Sequence, residues 1–291
     1  MNNLLDTNPL LFDPPPFELL KPKRLRAGIL FASPHSGRFI PKQMLANTRL
    51  GELSLQNYGD AYVDKIIENI PDKGLPAITG TYSRAFVDLN RDPSIFDDKV
   101  VDCVTPQNYC EYTASGFGLF ARNICHGSPI NISKISLEDA KARIAAVHAP
   151  YHGQITQQLT KLHERFGEAW LFDVHSMPNS GLGGNYADII LGNRFGSSCN
   201  VEITKMVKQH FENAGLKIRI NHPFAGAYTT KTYGNPVSGR HALQIEINRS
   251  LYMNEHSLEL NSGFFLMHEV FNNLAATAKD FFNQRNAALI T

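Results

Sequence analysis

Two histidines in this 291-residue chain stand where an apolar run gives out. His35 follows AGILFAS (27–33) in the stretch SPHSGRFIP (33–41), and His175 closes WLFDVH (170–175). A neutral imidazole is a common metal ligand, and a hydrolytic zinc site takes three protein ligands and keeps a fourth position for water. Asp173 lies two residues before His175, hence on the same face of a strand, where it can hold a ligand imidazole by hydrogen bond. A buried Asp–His pair without metal is the other reading of the same residues. His35 has Arg38, not Glu, three residues on, so an acidic third ligand must come from elsewhere. Asp60 and Asp64 of YGDAYVD are the candidates. Asp60 is preferred because it opens the helix after the His35 loop, although the helix dipole alone favours acid in a first turn. HAPYH, with His148 and His152 four apart, is a rival site, but Pro150 between them and the missing HExxH glutamate favour a capping or core role.

Other polar residues gather at the ends of β-type runs. In SRAFVDLNRDP (83–93), Arg84, Asn90 and Arg91 surround Asp88, which suits either a clamp for an anionic substrate or an Arg/Asp network stitching a loop. In HALQIEINRSLYM (241–253), Glu246 sits between Ile245 and Ile247. Two readings stand level: the solvated face of an edge strand, or a carboxylate that takes a proton from an attacking water and passes it to a leaving amine. Ser176 has no GxSxG elbow around it, so it supports by hydrogen bond rather than attacking. The glycine-rich SGLGGNYAD (180–188) precedes a strand, which excludes a dinucleotide fingerprint and leaves turn chemistry or a mobile loop over the site.

The elements that must position these residues follow from periodicity. AGILFAS, PAITGTY (76–82), AFVDL (85–89), WLFDVH, YADIILG (186–192), LKIRIN (216–221) and ALQIEIN (242–248) read as strands. Between them, helices are expected over 60–70, from Ser136 as N-cap with a kink or split near Pro150 and Gly153, over 200–215, and over about 260–285. Strands alternating with helices give an α/β layer sandwich with a mixed, mostly parallel sheet, in which ligands bind outside the carboxyl ends of the strands. Residues 1–26 read as a Pro-rich surface arm ending in the basic KPKRLR, and 27–291 as a single α/β domain.

A hydrophobic content of 43% supports a sizeable core, and a net charge of +1 with dispersed signs argues against a nucleic-acid partner. No run approaches the 18 apolar residues of a membrane span, and MNNLLDTNPLLFDPPPF lacks a basic start. Cys103, Cys110, Cys125 and Cys199 form no CxxC pair and are too sparse for a disulfide framework, which points to reduced thiols and a cytoplasmic protein.

With these residues in view, the chain resembles the N-formylglutamate amidohydrolase family. The matching stretches, in order, are SPHSGRFIP, YGDAYVD, SRAFVDLNRDP, DVHSMP, DIILGNRFG, PFAGAYTTKTYGNP and QIEINRSLYM. The resemblance implies a three-layer α/β/α, phosphorylase/hydrolase-like fold related to zinc exopeptidases, and hydrolysis of N-formyl-L-glutamate to formate and L-glutamate in histidine breakdown. It also implies that His35, Asp60 and His175 hold one Zn2+ per chain, that Glu246 is the general base, that Arg84 lies near the scissile carbonyl, and that Asn90 with Arg91 clamps a carboxylate. Such a substrate carries two carboxylates, so Arg84, Arg91, Arg249 and Lys231 are the available cationic anchors. The alternatives are a relative acting on another small N-acyl amino acid or a cell-wall amide, and a binding module that holds metal or acidic ligand without turnover.

Overall fold

The computed structural model describes residues 14–102, 104, 111–124, 127–182 and 186–288. Its strands are β1 (Phe17–Leu20), β2 (Ile29–Ser33), β3 (Ala77–Gly80), β4 (Ala169–Met177), β5 (Ile189–Gly192), β6 (Ile218–Ile220) and β7 (Arg240–Asn248). Its helices are α1 (Lys42–Ala46), α2 (Glu52–Asn57), α3 (Val63–Ile66), α4 (Glu111–Ser115), α5 (Leu137–Arg143), α6 (Ala149–Phe166), α7 (Val201–Asn213), α8 (Tyr228–Tyr233) and α9 (Gly263–Ala288). The strands form one mixed sheet in the order β1-β3-β2-β4-β7-β5-β6. The central pairs β3/β2, β2/β4 and β4/β7 are parallel, as is β5/β6, while β1/β3 and β5/β7 are antiparallel.

Period-two alternation divides the sheet residues between two cores. Ile29, Phe31, Trp170, Phe172, Val174, Leu243, Ile245 and Ile247 pack with residues of α3, α7 and α9. Leu30, Ala32, Ala169, Leu171 and Ala242 face the other way and pack with residues of α2, α5 and α6. On this second face the apolar residues give way toward the carboxyl ends. Leu171 is followed by Asp173 and His175 on β4, and Ala242 by Gln244 and Glu246 on β7, all of them buried. The register sets His175 directly opposite Glu246 and Asp173 opposite Gln244, so the four side chains share one face at one edge of the two longest strands.

Several sequence expectations shift. Residues 85–89 form a buried loop, not a strand: Phe86 N–H donates to Ser83 O, and Asp88 N–H to Leu119 O at 2.9 Å. The apolar run there records burial against the second core rather than sheet pairing. The helix expected over 60–70 is a single turn, α3, entered through Tyr62 at φ 66° and followed by a 3-10 turn at Ile70–Lys73, with Pro71 at its start. Asp60 therefore precedes the helix. Ser136 caps α5 as expected, its Oγ accepting from Asp139 N–H at 3.0 Å. The irregularity expected near Pro150 is a π turn at Ile144–His148, just where that proline withholds its N–H, and Gly153 continues α6 without a break. Within the segment read as a surface arm, Phe17–Leu20 pairs with β3, while residues 1–13 lie outside the described part. So do Cys103, Cys110, Cys125 and residues 183–185 of the glycine-rich stretch; Cys199 is buried. No helix among the described residues is long and apolar enough to cross a membrane.

Candidate active site

His35 leaves the carboxyl end of β2, His175 sits in the last turns of pleat of β4, and Asp60 joins them from the segment between α2 and α3. What brings Asp60 there is a backbone contact: its N–H donates to His35 O at 2.8 Å. Gly59 permits the approach, since a Cβ on it would lie 2.8 Å from His35 O. The three side chains are buried. Asp60 Oδ2 lies 3.1 Å from His175 Nδ1 and 3.4 Å from His35 Nδ1, and the two Nδ1 atoms are 3.2 Å apart. A tetrahedral ion with bonds of about 2.0–2.1 Å requires donors separated by about 3.3 Å, so these three atoms make one face of such a polyhedron. Together they are the group that could hold a metal ion among the described residues.

Each imidazole is oriented by a carboxylate behind it. His35 Nε2 lies 2.7 Å from Asp88 Oδ1, and His175 Nε2 lies 3.0 Å from Asp173 Oδ2. With a cation bound, a proton on each Nε2 would leave both Nδ1 lone pairs facing the centre. Asp88 also accepts from Asn90 N–H at 2.8 Å and, through Oδ2, from Arg84 at 2.6 Å. Burial opposes its ionisation, but Arg84 and the His35 and Arg91 side chains hold its carboxyl well below the usual range. Asp173 approaches Nε2 at ion-pair distance rather than along a hydrogen-bond axis, and neither of its oxygens has a hydrogen-bond partner among the described residues. A fully buried carboxylate left that way requires positive charge nearby.

The electrostatics supply that requirement from both sides. Burial works against charge on His175, yet Asp173 and Asp60 hold its pKa well above the ordinary histidine value. Burial likewise opposes charge on Asp60, and hydrogen bonds from His175 and His35 hold its carboxyl well below the usual range. Four buried carboxylates, from Asp60, Asp88, Asp173 and Glu246, thus surround two imidazoles, a donor set whose chemistry fits a bound cation. Glu246 differs from the rest: burial, with Asp60 nearby, raises its pKa despite His175 and Arg84. Its Oε1 accepts from Gln244 Nε2 at 2.8 Å, which fixes the carboxyl beside His175.

The arginines separate into distinct places. Arg249, expected as a substrate anchor, directs Nε to Ser176 Oγ (3.0 Å), Nη1 to Asn57 O (3.0 Å), and Nη2 to Gly59 O (2.6 Å) and Asp60 Oδ1 (3.1 Å). With its donors engaged this way it braces Asp60, and Ser176 completes the brace by donating to Asp60 Oδ1 at 3.2 Å. Arg84 lies over the Tyr58 ring at 4.9 Å and pairs with Asp88. Asn90, Arg91 and Lys231 line a cavity of about 230 Å³ next to the trio. Asn90 bridges the two regions, with Nδ2 3.3 Å from His175 Nε2 and Oδ1 accepting from Thr229 N–H at 2.8 Å. Asp64 lies apart and faces Arg38 at 3.5 Å.

HAPYH takes the core role expected of it. His148 Nε2 contacts Arg91 O at 3.0 Å, and His152 contacts Leu89 O through Nε2 (2.7 Å) and Tyr233 Oη through Nδ1 (2.9 Å). The two histidines hold from behind the loop that carries Asn90. Sequence reasoning missed Asp88 as the residue orienting His35, and it missed Arg194, which also lines the cavity. The available signal was position, since Arg194 follows β5 at its carboxyl end.

The family model for N-formylglutamate amidohydrolase matches residues 27–253. The N-formylglutamate deformylase of Pseudomonas aeruginosa is 29% identical over 246 residues, covering 82% of this chain and 87% of the relative. That of Pseudomonas putida is 28% identical over 237 residues, covering 79% and 83%. The crystal structure of an N-formylglutamate amidohydrolase from Ralstonia eutropha superposes with a TM-score of 0.87 at 29% identity, over 92% of this chain and 99% of that one. A gene product of Agrobacterium tumefaciens shares the fold with a TM-score of 0.66 at 16% identity, over 91% and 95%. With the matched residues running from the entry into β2 to just past β7, and so spanning the trio, Asp88, Asp173 and Glu246, the chain belongs to the N-formylglutamate amidohydrolase family.

Proposed function

We propose that this protein hydrolyses N-formyl-L-glutamate to formate and L-glutamate, with a zinc ion held by His35 Nδ1, His175 Nδ1 and Asp60 Oδ2. The observation that carries the reading is the set of donor separations, 3.1–3.4 Å, beside a buried glutamate in a member of this family. Zinc bound there would lower the pKa of a water toward about 7 and polarise the formyl oxygen. Glu246, its carboxyl held through Oε1 by Gln244, takes the proton of the attacking water and delivers it to the nitrogen as the C–N bond breaks. Its raised pKa makes it a better proton acceptor than an ordinary carboxylate. Arg84 faces the carbonyl and stabilises charge developing on its oxygen, while Asn90 and Arg91 receive a substrate carboxylate and Lys231 adds charge at the cavity.

Helices α3, α7 and α9 against one core and α2, α5 and α6 against the other support a three-layer α/β/α arrangement of the zinc-exopeptidase kind. The reading carries a place in histidine breakdown and in the cytoplasm. Formate release from N-formyl-L-glutamate tests it, with N-acetyl- and peptidyl-glutamate alongside. Activity should vanish on chelation and return with zinc. Glu246→Gln should keep the metal and lose about 10²–10⁴-fold in kcat. Undiminished turnover by metal-stripped protein would sink the proposal.

A further inference from the structure

Residues 188–196, DIILGNRFG, carry β5 to its carboxyl end and then turn sharply. Arg194 has φ 50° and Phe195 φ 55°, a left-handed backbone that L residues other than Asn and Asp rarely adopt. The surroundings over-determine that conformation. Arg194 N–H donates to Ala225 O at 2.8 Å, and Asn193 Oδ1 accepts from Gly196 N–H at 3.0 Å. Asn193 and Asn221 are doubly joined, N–H to Oδ1 at 3.0 Å and Nδ2 to Oδ1 at 2.8 Å. Opposite, Gly226 lies at φ 113°, where an added Cβ would fall 3.0 Å from Arg194 Cγ and 2.5 Å from Thr230 Oγ1. The glycine leaves a lane for the arginine stem. Strain kept in place like this collects where a side chain must be aimed.

Arg194 lines the cavity beside the trio together with Arg91 and Lys231. Of the other charged groups there, Asp92 and part of the Arg91 guanidinium are already engaged. Arg91 donates to Phe117 O and Asn90 O and stacks on Tyr112 at 4.0 Å, and Asp92 accepts from Ser94 N–H and Oγ. The Arg194 guanidinium, by contrast, has no hydrogen-bond or ion-pair partner among the described residues. Three cations against one carboxylate leave the cavity positive, and one of the three is a planar fork free to take two oxygens.

The geometry points to Arg194 as the residue that reads the far end of the substrate: with Lys231 it receives the side-chain carboxylate of an N-acyl dicarboxylic amino acid. This rests on the amidohydrolase reading and adds to it what the cavity selects, a distal negative charge.

The test compares wild type with Arg194→Met and Arg194→Lys on N-formyl-L-glutamate and its neutral isostere N-formyl-L-glutamine, with binding of glutarate measured separately by calorimetry. Losing a charge-assisted hydrogen bond should lower kcat/KM of the Met variant on the glutamate substrate about tenfold to a hundredfold. Its activity on the glutamine substrate should stay within about threefold, with the Lys variant in between on glutamate. Glutarate affinity should fall at least about tenfold in Arg194→Met. Equal losses on both substrates, or none on either, overturn the assignment. Wild type inert toward N-formyl-L-glutamate overturns the amidohydrolase reading instead, and glutarate binding that depends on Arg194 then leaves the anion site standing without the reaction.

Discussion

Two pairs of buried histidines sit a few residues from one another in space, with ring centroids 4.8 Å apart in His35–His175 and 4.3 Å apart in His148–His152. Burial and pairing are alike; the partners are not. The first pair meets carboxylates on every side, Asp60 in front and Asp88 and Asp173 behind. The second meets the carbonyls of Arg91 and Leu89 and the hydroxyl of Tyr233. Accordingly His175 is driven well above the ordinary pKa, while burial and the neighbouring His148 bring His152 down to about 3. What separates the proposed metal cage from a structural clasp is therefore the charge of the surrounding acceptors, not the depth or spacing of the imidazoles.

The strongest way to break the comparison is to delete one ring from each pair. His175→Ala should lose its metal on dialysis and at least about 10³-fold in kcat/KM, since several kcal/mol of charge stabilisation depend on the site. His148→Ala should retain stoichiometric metal by elemental analysis. Loss of metal from the second variant but not the first would reverse the assignment. A smaller effect is expected one layer out. Asp88→Asn keeps an acceptor for His35 but removes its charge, so metal affinity should fall about 10–100-fold in competition with a chelator. Tyr233→Phe, which removes the equivalent contact of His152, should leave that affinity unchanged.

The distinction was partly legible in the sequence. Period-two reading of WLFDVH already put Asp173 and His175 on one face, and β4 keeps that register to Met177. The proline inside HAPYH argued against a metal pair, and the π turn before it agrees. The remainder depends on contacts between distant segments. Preference for Asp60 rested on its place at a helix start, whereas its position comes from a hydrogen bond to His35 O made ahead of the helix. Arg249 read as a free cation because no local pattern reveals that Asn57, Gly59, Asp60 and Ser176 converge on it. AFVDL read as a strand because a buried loop and a buried strand share composition. Asp88 consequently drew less notice than the arginines it organises.

The pH dependence of stability gives the mildest test, because His175 and His152 act in windows that do not overlap. His175, with its pKa raised, contributes stability in the metal-free protein that is complete below pH 6.5 and is lost as pH rises toward the folded value. His152 has the opposite sign. Between its unfolded value of 6.5 and its folded value of about 3, the unfolded chain binds a proton that the folded chain refuses, so stability falls as pH falls. At pH 5 this amounts to about 2 kcal/mol, one and a half units at roughly 1.4 kcal/mol each. Asp60 and Asp88, both lowered, act only near and below the ordinary carboxylate value of 3.8 and stay out of this interval. Urea unfolding of metal-free protein at pH 6.5 and pH 5 reads this effect together with the same-signed ones of His148, His210 and His241, whose pKa values burial also lowers, and His152→Gln, uncharged at both, should shrink the difference by about 2 kcal/mol. An unchanged difference would mean that His152 takes up its proton in the folded state, and the contrast between the pairs would then rest on metal binding alone.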